Sequence, residues 1–109
     1  MLEKFQFIYL NIQSIWKEGF TYILSNKNRA VLYVGGSTQL KFRVELHMKG
    51  KGTKFTKKYS VHELMYFEKY DDSHDAFLRD KQRQNWRSEW KWNLIKSQNP
   101  GLKNLYLNL

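Results

Sequence analysis

The chain of 109 residues contains no cysteine, a single proline and no long apolar run. The missing cysteine excludes disulfides, thiolate metal sites and cysteine nucleophiles. No apolar stretch approaches the ~20 residues that a membrane-spanning helix needs. Glu3, Gln6, Asn11 and Gln13 interrupt any charged-then-apolar signal pattern at the N-terminus, so a cytoplasmic protein with no membrane partner is expected. His47, His62 and His74 are too scattered for a zinc signature, and no glycine-rich loop has the P-loop spacing. Acidic residues are scarce as well: 10 stand against 19 lysines and arginines, a formal charge of +9 at pH 7. Such an excess attracts polyanions, and nucleic acid is the commonest large polyanion in a cell. A basic surface that only aids solubility, or one that meets an anionic membrane, has the same composition.

Hydrophobic residues make up 41% of the chain, as in a globular protein, and the length suits one domain with one modest core. Aromatics reach 17%, more than so small a core absorbs, which places some of them on the surface or in a cleft. Phe5, Ile8, Tyr9, Ile12, Ile15 and Trp16 recur at helical spacing, so residues 1–18 form an amphipathic extension ahead of a domain over 19–109. Phe20 to Leu24 and Ala30 to Val34 form a hairpin around an Asn-rich turn, and Gly35-Gly36 ends the second strand. Ser37 or Thr38 caps a helix with Leu40, Val44 and His47 on one side. Gly50 to Tyr59 forms a basic loop, Glu63 to Tyr70 a third strand, and helices span about 73–85 and 87–98, the last stopped by Pro100. Trp86 and Trp90, four apart, share a helical face that packs on the core or stacks bases. The order is that of an α+β domain: a small antiparallel sheet flanked by helices.

Several short motifs then fall in a telling order. Phe20-Thr21-Tyr22 is followed by Tyr33-Val34-Gly35, with the two tyrosines eleven positions apart. Arg43 and His47 make an Arg-x-x-x-His pair, and Phe55-Thr56-Lys57-Lys58-Tyr59 follows. Arg79-Asp80-Lys81-Gln82, Asn85-Trp86-Arg87, Leu94-Ile95 and Asn99-Pro100 complete the set. Together these resemble the GIY-YIG nuclease family, in particular its small stand-alone bacterial members, over about Phe20 to Tyr106. The resemblance implies a three-stranded antiparallel sheet with helices on both sides. It also implies a metal-dependent endonuclease that hydrolyses DNA phosphodiesters in repair or recombination, using one Mg2+ or Mn2+ ion and no small-molecule cofactor.

By that resemblance Tyr22 or Tyr33 is the general base, Arg43 clamps the phosphate, and His47 orients a tyrosine or relays a proton. Asp80 holds the metal, Gly35 and Asn99 shape the site, and the tyrosines, Arg43 and Asp80 line one cleft. An ordinary tyrosine has a pKa near 10, so positive charge such as that of Arg43 must assist it. The family's metal ligand is a glutamate. Aspartate keeps the charge but shortens the reach by ~1.5 Å, and Mg2+ is strict about distance and geometry. Lys49, Lys51, Lys54, Lys57 and Lys58, with Arg83, Arg87 and Lys91, are expected to follow a DNA backbone without reading its bases. Two rivals share the composition: a nucleic-acid-binding module of the same fold without catalysis, and a protein-interaction domain that uses the N-terminal helix.

Overall fold

The structure is a computed structural model in which residues 18–109 are described. The helix expected over 1–18 therefore lies outside the described residues, apart from Glu18. Three strands, β1 (Gly19–Ser25), β2 (Leu32–Ser37) and β3 (Glu63–Tyr70), pair antiparallel in the order β2-β1-β3. Among the described residues there are four helices, α1 (Leu40–Met48), α2 (Lys54–Tyr59), α3 (Ser73–Gln84) and α4 (Ser88–Gln98), with a 3-10 turn at Leu105–Asn108.

Alternation along β1 divides the core in two. Tyr22 and Leu24 point to one face and pack with Leu40 and Val44 of α1, Val61 and Leu64. Ile23 points to the other and packs with Val34, Met65, Tyr66 and Ile95 of α4. The sheet is thus covered on both sides, as the sequence pattern and the resemblance imply. A register shift in β3 sets Ile23 opposite Tyr66 and Leu24 opposite Leu64, leaving Met65 as an extra residue. This bulge lets the adjacent Met65 and Tyr66 both enter the second core, which strict alternation forbids.

Three local expectations are corrected. The strand β2 runs through Gly35-Gly36 to Ser37 rather than ending at them. The basic stretch before Tyr59 is not all loop: Lys54–Tyr59 is helical. Thr53 accepts from the Thr56 backbone N–H while the Thr56 side chain accepts from that of Thr53, so two orphan donors are satisfied reciprocally. Ser60 then ends the helix at φ 54. Finally, Trp86 lies in the turn between α3 and α4 rather than on one helix with Trp90, although their rings still meet edge to face at 6.2 Å.

The hairpin turn and the C-terminus brace one another. Asn26 Oδ1 accepts from the Ala30 and Val31 amides. Arg29, held at φ 62, pairs with Glu63 at 2.8 Å and donates to the Leu102 carbonyl. Asp72 caps α3 by accepting from the His74 amide, as its position before the helix predicts.

Candidate active site

The first cluster is built from β1, β2 and α1. Tyr22 is fully enclosed, and its hydroxyl lies 2.9 Å from His47 Nε2. His47 is buried on the inner face of α1, and its Nδ1 lies 3.0 Å from Thr56 Oγ1. The Thr56 hydroxyl donates to the Thr53 carbonyl at 3.2 Å. With the imidazole proton on Nδ1, His47 donates to Thr56 and accepts through Nε2; the other tautomer reverses both contacts. In the first tautomer the Tyr22 hydroxyl donates to Nε2. Tyr22, His47 and Thr56 thus form a continuous hydrogen-bonded row that ends at a helix cap.

Two glycines make room for it. A Cβ on Gly35, which pairs with Tyr22 across the strands, would stand 2.5 Å from the Tyr22 hydroxyl oxygen. A Cβ on Gly52 would stand 2.0 Å from His47 Nδ1. Tyr33 completes the cluster: its ring centroid is 6.4 Å from that of Tyr22 and 5.4 Å from that of His47. Tyr33 and Arg43 are half-buried, and Arg43 sits on α1 one turn before His47. Tyr22, Tyr33, Gly35 and His47 are therefore brought together, with Arg43 on the helix that supplies the histidine.

Asp80 stands beside the next residue of the strand, Gly36. Successive residues of a strand face opposite sides. Gly35 faces Tyr22, whereas a Cβ on Gly36 would lie 3.4 Å from Asp80 Oδ2. The carboxylate thus stands across the Gly35-Gly36 backbone from the tyrosine. It is 1% exposed, and its Oδ1 accepts from Gln84, which also donates to the Val34 carbonyl of the edge strand. The donor type suits Mg2+, which takes hard carboxylate oxygens and fills its remaining positions with water and phosphate. Among the described residues no three His, Cys, Asp or Glu side chains group as ligands, so Asp80 would be the protein's contribution.

Two residues expected in or around the site belong elsewhere. Arg83 is not a phosphate contact. It is 4% exposed, donates to Thr21 Oγ1 at 3.2 Å, pairs with Glu68 at 3.0 Å and lies over the rings of Tyr66 and Trp86. Burial alone would raise the Glu68 carboxyl, but hydrogen bonds from Tyr66 and Tyr70 and the Arg83 charge outweigh it and hold it below the usual range. Burial and the Glu68 charge in turn push both phenols up. Asn99 is a strut rather than part of the tyrosine cluster: it is buried, donates to the Met65 and Lys103 carbonyls and accepts from the Lys103 amide. The lysines at 49, 51, 54, 57 and 58 and Arg87 are exposed, and Lys91 is half-buried. Arg87 lies over the Trp90 ring at 5.1 Å.

The partners of His47 are what residue-by-residue reading missed. Thr56 figured only inside a motif, and Gly52 only as part of a loop. The signals were present: a Thr-x-x-Thr box beginning six residues after His47, and a glycine just before it.

Comparison with known proteins accords with this arrangement. Residues 18–100 match the family model described as the GIY-YIG catalytic domain. The chain is similar to a UPF0213 protein of Pediococcus pentosaceus, 38% identical over 88 residues, which are 80% of this chain and 92% of that protein. It is also similar to UPF0213 proteins of Staphylococcus aureus strains Mu3 and N315, each 32% identical over 77 residues, covering 71% of this chain and 93% of theirs. Those names carry no statement of activity. No solved structure matches the chain, and none of the described helices is long and apolar enough to cross a membrane. With most of its length matched by the family model, and with relatives of its own size, the chain belongs to the GIY-YIG nuclease family.

Proposed function

We propose that the protein is a DNA endonuclease that hydrolyses phosphodiester bonds with one Mg2+ or Mn2+ ion, and that Tyr22 is its general base. The observation that carries this reading is the 2.9 Å contact between the Tyr22 hydroxyl and His47 Nε2. A phenol is a poor base unless its own proton has somewhere to go. On this reading Tyr22 passes its proton to Nε2 as its oxygen takes one from the attacking water, and the Thr56 contact at Nδ1 supports the tautomer in which Nε2 accepts. Arg43 offers a planar fork of donors to the phosphoryl oxygens as charge builds on them. Asp80 would hold the ion, which supplies Lewis-acid stabilisation for the departing oxygen when bound.

The burial of Asp80 favours a second reading, a nucleic-acid-binding module that kept the fold while its metal position closed. Nicking of supercoiled plasmid with Mg2+ and with EDTA separates the two. The endonuclease reading expects open circles in Mg2+ alone and none from Arg43→Ala. The binding-module reading expects salt-sensitive DNA binding with no nicking in either buffer.

A further inference from the structure

A row of aromatic rings leads out of the active site. The Tyr33 ring, 5.4 Å from His47, stacks on Phe55 at 6.3 Å with 29° between the planes. Phe55 meets Tyr59 at 5.0 Å. Phe55 and Tyr59 are each 43% exposed. Both belong to α2, whose other outward positions are Lys54, Lys57 and Lys58, and Lys58 lies over the Tyr59 ring at 5.2 Å. The helix has no acidic residue.

This combination discriminates between occupants. A duplex offers phosphates to the lysines but keeps its base faces stacked inside, so Phe55 and Tyr59 would meet nothing they can stack on. An apolar protein surface would suit the rings but would leave three ammonium groups to be desolvated without partners. An unpaired stretch of nucleic acid suits both, since each nucleotide brings one negative charge and one flat, weakly hydrated face. We infer that the row Tyr33, Phe55 and Tyr59 receives unpaired bases beside the phosphodiester that is cut. The preferred substrate is then a single strand, a flap or a frayed end, rather than intact duplex. This rests on the tyrosine cluster being the nuclease site, because that is what sets the bases next to the cut.

The test measures binding without metal, by fluorescence anisotropy, to a short single-stranded oligonucleotide and to its duplex. Unmodified protein, Phe55→Leu and Lys57→Ala are compared across a salt series. An abasic position is also stepped along the single strand. Base-on-ring stacking is worth on the order of tenfold in affinity per base. The single strand is expected to bind about tenfold tighter than duplex. Phe55→Leu should reduce that preference several-fold without altering duplex affinity or the salt slope, whereas Lys57→Ala should weaken both ligands and flatten the slope. One abasic position should cost the unmodified protein about tenfold and Phe55→Leu nothing. Equal affinity for the two ligands, a flat abasic scan, or a self-associating protein made monomeric by Phe55→Leu would overturn the inference. Cleavage that persists beside such a result leaves the nuclease reading standing. The expected binding pattern without any cleavage would sink that reading and confine the inference to binding.

Discussion

The Tyr22 hydroxyl lies 2.9 Å from His47 Nε2, and both side chains are buried. One residue comes from the central strand and the other from the helix packed on it, so tertiary packing alone makes the pair. One residue further on, Thr56 Oγ1 lies 3.0 Å from His47 Nδ1.

If Thr56 fixes the proton on His47 Nδ1, Thr56→Ser should preserve nicking, whereas Thr56→Val should lower it about tenfold or more. Loss of the acceptor also leaves a buried N–H unpaired, at a cost of about 1–3 kcal/mol. Imidazole 15N shifts separate the chemical role from a purely structural one. They should show a protonated Nδ1 in the unmodified protein and in Thr56→Ser. The same tautomer in an equally active Thr56→Val protein would remove Thr56 from the row.

Gly35→Ala and Gly52→Ala place a methyl group 2.5 Å from the Tyr22 oxygen and 2.0 Å from His47 Nδ1. Neither contact is tolerable, so something must move, and overpacking of this kind costs about 1–3 kcal/mol. Denaturant melts should show that loss in both variants. Activity should fall further than stability explains, because the displaced groups are the reacting ones. Unchanged midpoints and rates would mean that the cluster is looser than described.

Arg83 and Glu68 give a prediction that owes nothing to catalysis. Arg83→Met removes the buried member of the pair. The other member is a third exposed (34% for the Glu68 side chain), which reduces the expected loss to roughly 2–3 kcal/mol. The salt slope of DNA binding should not change, in contrast to Lys57→Ala. The Glu68 carboxyl is held low in the folded state. Its contribution is therefore present above the ordinary glutamate pKa and lost as pH falls through the lower folded value. Urea midpoints measured from neutral to acidic pH should decline less steeply for Glu68→Gln than for the unmodified protein. Parallel curves would show that Glu68 is not stabilised by its neighbours.

The sheet, its flanking helices and the grouping of Tyr22, Tyr33, Gly35 and His47 were legible from alternation, helical spacing and motif order. What was not legible was set by packing. Arg83 looks like any helix cation, and only the fold shows that it faces Thr21 and Glu68 across the sheet. Asn99 sits in a motif but serves the C-terminal turn. The position of Asp80 behind Gly36 depends on which side of one strand the third helix covers, and motif order carries no sign of that.

That position sharpens the expectation for Asp80. Its carboxylate is the right donor in an enclosed place, one methylene short of the family's glutamate. Asp80→Glu should raise Mg2+-dependent nicking, and Asp80→Ala should abolish it, on the order of a thousandfold in rate. Titrations with Mg2+ and Mn2+ across the three proteins measure this. Equal rates for the unmodified and Asp80→Ala proteins would assign the metal to other residues.

The most direct test is the nicking rate of Tyr22→Phe in Mg2+, measured beside its thermal midpoint and its affinity for DNA. The substitution keeps the ring, and with it the packing against Leu40 and Val44, and deletes only the oxygen that meets His47. The account predicts nicking by the unmodified protein, a fall of about a hundredfold or more in Tyr22→Phe, and DNA affinity that does not change. Nicking by Tyr22→Phe at the rate of the unmodified protein would contradict it.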